Sequence, residues 1–162
     1  MAVLPLRLWP DPVLSVVCAP VGAADVRALA SDMLDTMYHQ YGRGLAAPQV
    51  GVVQTLFVMD AAWKSGDPAP MVCVDPVIVW ACDTRAVGPE GCLSIPGVTA
   101  QVSRAVAVRL AWTDLDGTAW EAAFDGFAAV CIQHEMDHLR GVVTLDHLDA
   151  AARALAEVEY QG

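Results

Sequence analysis

No stretch of the 162-residue sequence is long and apolar enough to predict a membrane-spanning helix. The longest stretch without an ionisable residue, 44–59, is interrupted by Pro48, Gly51 and two glutamines, whereas a span needs about 18 or more consecutive apolar residues. The first ten residues hold one arginine and two prolines, so they resemble neither a secretory signal nor an Arg/Ser-rich transit peptide. We expect a cytoplasmic protein that does not contact a membrane.

Positive charge and regularly spaced cysteines are also scarce. Nine basic residues face 19 acidic ones, which gives a net charge of −10, and the basic residues form no cluster. Binding of nucleic acid through its phosphate backbone is therefore not predicted. The five cysteines are odd in number and widely scattered, which favours reduced thiols over a disulfide framework and leaves a thiol available as a metal ligand.

The apolar pattern predicts an α+β fold. With 56% apolar residues at this length, residues 1–162 are expected to form a single domain. Helical spacing predicts an N-terminal helix over 25–41, ended by Gly42, and a short amphipathic C-terminal helix over 148–160. Alternating or β-branched residues predict strands over 53–59, 71–74, 77–81, 98–104, 106–112 and 118–124. Because the last strands are joined as hairpins, we expect mainly antiparallel sheets around a central helix that follows them.

That central helix carries the sequence Gln-His-Glu-Met-Asp-His over residues 133–138. His134 and His138 are four residues apart and therefore lie on one helix face, where two imidazoles can bind one metal ion. Glu135 beside them can handle a proton. Asp125 can cap the start of this helix and Gly141 can end it. The alternative interpretation is a buried helix whose histidines are only hydrogen-bonded core residues.

A catalytic metal ion needs a third protein ligand. Cys131 shares the helix face but lies seven residues from His138, about 10.5 Å along the axis. Because ligand atoms lie about 2.0–2.3 Å from the metal, the short side chain of Cys131 cannot bind the same ion as both histidines. A downstream glutamate, Glu157 or Glu159, is one alternative. Cys92 is the other, in a segment whose flanking glycines and proline could present a thiolate to a cleft.

Three segments together resemble the peptide deformylase family. They are Gly-Arg-Gly-Leu-Ala-Ala-Pro-Gln over 42–49, Glu-Gly-Cys-Leu-Ser over 90–94 and Gln-His-Glu-Met-Asp-His over 133–138. They occur in the family's order, and the resemblance extends over nearly the whole chain. It implies an amidohydrolase that removes the formyl group from N-formylmethionyl peptides by means of a metal-bound water.

The resemblance also implies a role for particular residues. Cys92, His134 and His138 would hold one divalent ion per chain, Fe²⁺ in the family's usual form, with Zn²⁺, Ni²⁺ or Co²⁺ as possible replacements. Glu135 would be the general acid/base, and Gln49 and the backbone N–H of Leu93 would stabilise the oxyanion. The residues implied to contact the substrate come from all three motifs and the metal-binding helix: Gly42, Arg43, Gly44, Glu90, Phe127, Val130 and Cys131.

Two departures from the family pattern bear on its partners. Arg43 occupies a position that is usually aliphatic, which leaves the substrate preference beyond methionine open. The C-terminal segment is not basic, so docking on the ribosome through that tail is not expected, although formylated nascent chains remain expected substrates. Two alternative functions stay open from the residues alone: a neutral metallopeptidase, and a deformylase-like paralogue with a narrowed or non-catalytic role.

Overall fold

The computed structural model, which describes residues 2–161, contains three α-helices and seven β-strands within those residues. The helices are α1 (Arg27–His39), α2 (Gly126–Leu139) and α3 (Ala150–Gln161). The strands are β1 (Gly44–Ala46), β2 (Leu56–Met59), β3 (Met71–Ala81), β4 (Arg85–Cys92), β5 (Ile95–Ala105), β6 (Ala107–Thr113) and β7 (Ala119–Asp125). The α+β prediction is confirmed. No helix in the described part of the chain is long and apolar enough to cross a membrane.

The strands form two antiparallel sheets. Five strands pair in the order β1-β2-β3-β6-β7, and β4 and β5 form a separate two-stranded ribbon between β3 and β6 in the chain. Helix α2 packs on one face of the larger sheet and α1 on the other. All four residues of β2 are therefore buried: Phe57 and Met59 face the core of α2, while Leu56 and Val58 face that of α1.

The C-terminal helix completes a third core against the ribbon. Ala156 of α3 packs with Ile95 and Val98 of β5 and with Leu145 from the connection after α2. The N-terminus of α3 is capped by Asp149, whose Oδ1 accepts a hydrogen bond from the backbone N–H of Ala152 at 2.8 Å. The predicted helix over 148–160 is thus confirmed, shifted by one or two residues.

Three sequence predictions need correction. The two strands expected over 71–74 and 77–81 are one strand, β3, which bulges where Asp75 adopts φ 47°. Helix α1 ends at His39, before Gly42, because Tyr41 already turns the chain with φ 57°. Strand β4 was not among the predicted strands, yet residues 85–92 pair along β5.

The ends of α2 only partly match expectation. Asp125 occupies the N-cap position, but its side chain makes no capping hydrogen bond, so that part of the prediction is wrong. Gly141 does end the helix, with φ 77° and its N–H donating to the carbonyl of His138 at 3.1 Å. A Cβ at Gly141 would lie 2.6 Å from the carbonyl oxygen of Ser15, so the close approach of this segment also requires glycine.

Candidate metal centre

Residues from separate parts of the chain meet at one point. Cys92 ends β4, His134 and His138 lie one turn apart on α2, and their ligand atoms all lie within 4.8 Å of one another. Cys92 Sγ is 3.5 Å from His138 Nε2, which is 3.2 Å from His134 Nε2. Within the described residues, this is the one such group of potential ligands.

The spacing of these atoms fits a single ion. Bonds of about 2.0–2.3 Å in tetrahedral geometry place nitrogen and sulfur donors about 3.3–3.6 Å apart. One thiolate and two imidazoles suit Fe²⁺, Zn²⁺, Ni²⁺ or Co²⁺ better than Mg²⁺ or Ca²⁺, which prefer oxygen. The glutamate alternative is not supported by the geometry: Glu157 on α3 pairs with Arg153 at 3.0 Å, and Glu159 is exposed.

The orientation of His134 is fixed from behind. Its Nδ1 lies 3.0 Å from Glu90 Oε1, so an N–H there donates to the carboxylate and leaves the Nε2 lone pair facing Cys92 and His138. Burial alone would raise the pKa of Glu90, but hydrogen bonds from His134 and Arg104 outweigh it and hold that pKa below its usual value. Glu90 is therefore a carboxylate, although it lies in the cleft wall.

A buried arginine supports this carboxylate and was not identified from the sequence. Arg104 of β5 donates to both oxygens of Glu90 at 2.9 Å and to Asp137 Oδ2 at 2.6 Å. Asp137 also accepts from Arg140 at 2.8 Å and lies 2.7 Å from His147 Nε2. The network ties the ribbon to α2 directly beneath the ligands. The sequence does contain a signal for Arg104: it falls on the same every-second-residue pattern as Val98, Ala100 and Val102, which are buried in β5.

Glu135 points into the cleft next to the ligands. Its side chain is buried, and burial raises its pKa to about 7, the value at which a carboxyl group exchanges protons readily at neutral pH. Its Oε1 has no hydrogen-bond partner among the described residues. Its Oε2 lies so close to Gly44 that a Cβ there would be 2.5 Å from it. The absence of a side chain at Gly44 therefore leaves room for this carboxyl group.

Gln49 and Leu93 flank Cys92. The Oε1 of Gln49 accepts the backbone N–H of Ala46 at 2.9 Å, which fixes the amide so that its Nε2 faces Ser94 Oγ at 3.1 Å and Cys92 Sγ at 3.6 Å. Leu93 lies in the two-residue turn between β4 and β5. The side-chain N–H group of Gln49 is thus held beside Cys92, and Leu93 follows Cys92 directly in the chain. The hydroxyl of Ser94, which assists Gln49, was not singled out from the sequence.

A cleft of about 640 Å³ opens over these groups. Every residue predicted for the site lines this cleft except His138, which is buried behind it. Cys131 is buried beside the site, with its Sγ 3.7 Å from the carbonyl oxygen of Arg43, and does not belong to the ligand group. The lining residues that were not predicted come from β4, β5 and the rim: Pro89, Gly91, Ile95, Pro96, Gly97, Val98, Thr99, Gln40, Tyr41 and Lys64.

Comparison with known proteins finds similarity over nearly the whole chain to one family. The sequence model of the polypeptide deformylase family matches residues 3–154. The peptide deformylase of Brucella suis biovar 1 is 47% identical over 156 residues, covering 94% of this chain and 89% of its own length. That of Mesorhizobium japonicum is 42% identical over 163 residues, covering 99% of this chain and 93% of its own.

Solved structures agree with the sequence relatives. The crystal structure of a peptide deformylase from Legionella pneumophila superposes with a TM-score of 0.92 at 35% identity, covering 99% of this chain and 94% of that one. A peptide deformylase from Synechococcus elongatus, crystallised in complex with actinonin, gives a TM-score of 0.92 at 36% identity, with 98% and 88% coverage. The fold and the sequence therefore point to the same family.

Proposed function

The chain belongs to the polypeptide deformylase family, and we propose how its own residues carry out that family's reaction. The enzyme is a metal-dependent hydrolase that converts an N-formylmethionyl peptide and water into a methionyl peptide and formate. The observation that carries our proposal for the site is the convergence of Cys92, the α2 histidines, Glu135 and Gln49 on one cleft. We propose that the chain forms a single deformylase-like domain.

Cys92, His134 and His138 hold one divalent ion, and we propose Fe²⁺ as the physiological metal. The ligand spacing described above and the hydrogen bond from His134 to Glu90 support this ligand set. When bound, the ion supplies a Lewis acid that lowers the pKa of water towards about 7 and polarises a carbonyl oxygen.

Glu135 moves the proton. Its pKa of about 7 and its position in the cleft allow it to accept a proton from the water that attacks the formyl carbon. It then delivers this proton to the amine nitrogen of methionine as the C–N bond breaks, and formate leaves. General acid/base catalysis of this kind contributes about 10²–10⁴-fold in rate.

Gln49 and Leu93 stabilise the negative oxygen that develops on the formyl carbon. The side-chain N–H of Gln49, held by Ala46 and beside Ser94, and the backbone N–H of Leu93 are the donors. Because both are fixed before the substrate arrives, little reorganisation is needed during the reaction. Removal of one such donor typically costs about 10²–10³-fold in rate.

The substrate backbone pairs with the edge of the larger sheet. Strand β1 lies at the edge of this sheet and pairs with β2 on one side only. Its free side borders the cleft, and an extended peptide can add there as a further strand. Gly44 supplies the backbone contacts. The methionine side chain occupies the part of the cleft formed by Gly42, Glu90, Phe127, Val130 and Cys131.

Replacing Gly44 by alanine is expected to lower kcat/KM for formate release by about 10²-fold. The new Cβ would lie 2.5 Å from Glu135 Oε2 and 2.8 Å from Cys131 Sγ, so the acid/base group must shift. A displacement of about 1 Å in a catalytic group has an effect of this size. Gly88→Ala is the matched control, because a Cβ at Gly88 would meet no atom of the described residues within 4 Å. Equal rates in the two variants would contradict the close contact with Glu135.

The natural substrates we propose are formylated nascent chains in the cytoplasm. Ribosome association, where it occurs, is transient and does not use the C-terminal helix. The charges of α3 support this: Arg153 is paired with Asp146 and Glu157 at 3.0 Å and is not available to bind RNA phosphates.

Formate release tests the proposed function directly. Protein purified without oxygen and loaded with Fe²⁺ or Ni²⁺ is expected to release one formate per formyl-Met-Ala peptide. Acetyl-Met-Ala is the control for peptide-bond cleavage, because it has no formyl group and gains a free amino group only if another amide bond is cut. Free amino groups are measured in parallel. Absence of formate with both metals would overturn the assignment, and cleavage between methionine and alanine would favour the metallopeptidase alternative.

A further inference from the structure

Almost all cationic side chains of this acidic protein already have a partner. Ion pairs to carboxylates are formed by Arg7, Arg27, Arg104, Arg109, Arg140 and Arg153, and Arg85 donates to Ser103. Two cations remain, Arg43 and the single lysine, Lys64. Among the described residues, neither side chain has a hydrogen bond or an ion pair, and the Nε of Arg43 is buried without a partner.

Both of these cations line the cleft. The guanidinium of Arg43 lies 4.6 Å from the ring centroid of Phe127, which fixes it over α2. Lys64 lies in a short turn whose Trp63 donates its indole N–H to the carbonyl of Gly42 at 2.9 Å. The turn is thereby held against the residue that precedes Arg43. Burial and the nearby charge of Arg43 lower the pKa of Lys64, which agrees with two cations sharing one rim.

The negative groups of the cleft do not neutralise this rim. Glu90 is paired with Arg104 and His134, and Glu135 lies at the cleft floor beside the ligands. No other carboxylate lines the cleft within the described residues. Two positive charges without an ion-pair partner among the described residues, a half-buried one on Arg43 and an exposed one on Lys64, therefore lie at the cleft rim of a protein whose net charge is −10.

The direction of the substrate brings its later residues to this rim. The Ala46 end of β1 is bonded to Gln49 next to the ligands, and Arg43 precedes the other end. A peptide that pairs antiparallel with β1, with its formyl group at the ligands, runs from Ala46 towards Arg43. Since three strand residues span about 10 Å, the residues that follow the formylmethionine reach Arg43 and Lys64.

We propose that Arg43 and Lys64 form a carboxylate-binding rim that selects formylated peptides with an acidic side chain at the second or third position. The inference rests on the proposed function, because it concerns the same cleft and substrate. Arg43 and Lys64 are the arginine and lysine side chains that line the cleft in the described part of the chain, so the preference follows from this chain's own residues. A free carboxyl terminus on a short peptide offers the same chemistry, and the test separates these two sources.

Steady-state formate release from C-terminally amidated peptides tests the side-chain preference. Formyl-Met-Asp-Ala-amide or formyl-Met-Ala-Asp-amide is expected to have a kcat/KM roughly fivefold to tenfold above its lysine-containing counterpart, as for one or two partly exposed ion pairs. The ratio should fall towards one as salt rises from 20 mM to about 500 mM, because exposed charges are screened. Arg43→Ile and Lys64→Met should each lower the ratio at low salt, and the double variant should abolish it.

Controls make each outcome decisive. Arg27→Met removes an exposed arginine outside the cleft and should leave the ratio as in the wild type. Free-acid and amidated formyl-Met-Ala are compared in parallel: a preference confined to the free acid would place the carboxylate at the peptide terminus and contradict the side-chain proposal. Equal kcat/KM for acidic and basic peptides, with formate still released, would overturn this inference alone. Failure to hydrolyse any formyl peptide would overturn the proposed function itself.

Discussion

Replacing Glu135 by glutamine is expected to lower kcat for formate release by about 10³-fold while the protein keeps its metal. The amide has nearly the shape of the carboxyl group but cannot accept the proton of water or return it to the amine, and this role accounts for about 10²–10⁴-fold in rate. Metal is expected to stay bound because the ligand group consists of Cys92, His134 and His138. The check is kcat together with the metal content per chain of the same sample.

A matched variant separates this effect from a general loss of negative charge. Glu157→Gln alters an α3 glutamate that pairs with Arg153 outside the cleft, and it should leave kcat within about twofold of the wild type, as surface substitutions usually do. Should Glu135→Gln turn over at the wild-type rate, another group must transfer the proton. Loss of the metal from that variant would show instead that Glu135 contributes to binding the ion.

The spacing of the candidate metal ligands was easier to predict from the sequence than the sheet around them. The helical spacing of His134 and His138 is a local property, so it survives folding unchanged, and helix rise alone excluded Cys131. The choice of Cys92 over a downstream glutamate was not local, because it depends on β4 ending beside α2. The order of the three motifs, through the family resemblance, indicated Cys92 as the third ligand. The structure brings Cys92 together with His134 and His138.

Strand β4 shows why part of the fold was missed. Its glycines and Pro89 argue against a strand by intrinsic preference, yet among the strands of residues 2–161 β4 pairs only with β5, so it is an edge strand. An edge position tolerates proline, and a ribbon exposed on one side needs few β-branched residues. Tertiary pairing with the long strand β5 therefore outweighed the local signal.

Replacing Arg104 by methionine is expected to lower the free energy of unfolding by about 3–5 kcal/mol. Arg104 is 5% exposed and is bonded to both Glu90 and Asp137, so its removal leaves two buried carboxylates without their main counter-charge. Breaking a buried pair from one side costs about this much, because the remaining charge stays in a low dielectric. Urea unfolding at constant pH, with and without bound metal, measures the change.

The same variant should also weaken metal binding by about 10–100-fold, because Arg104 holds the carboxylate that orients His134. Arg109→Met is the control: Arg109 lies on β6, the next strand in the chain, its pair with Glu121 is about half exposed, and surface pairs contribute about 0–1 kcal/mol. If both variants unfold at the same urea concentration, the buried network does not stabilise the fold. If Arg104→Met is destabilised but binds metal as tightly as the wild type, Glu90 orients His134 without help from β5.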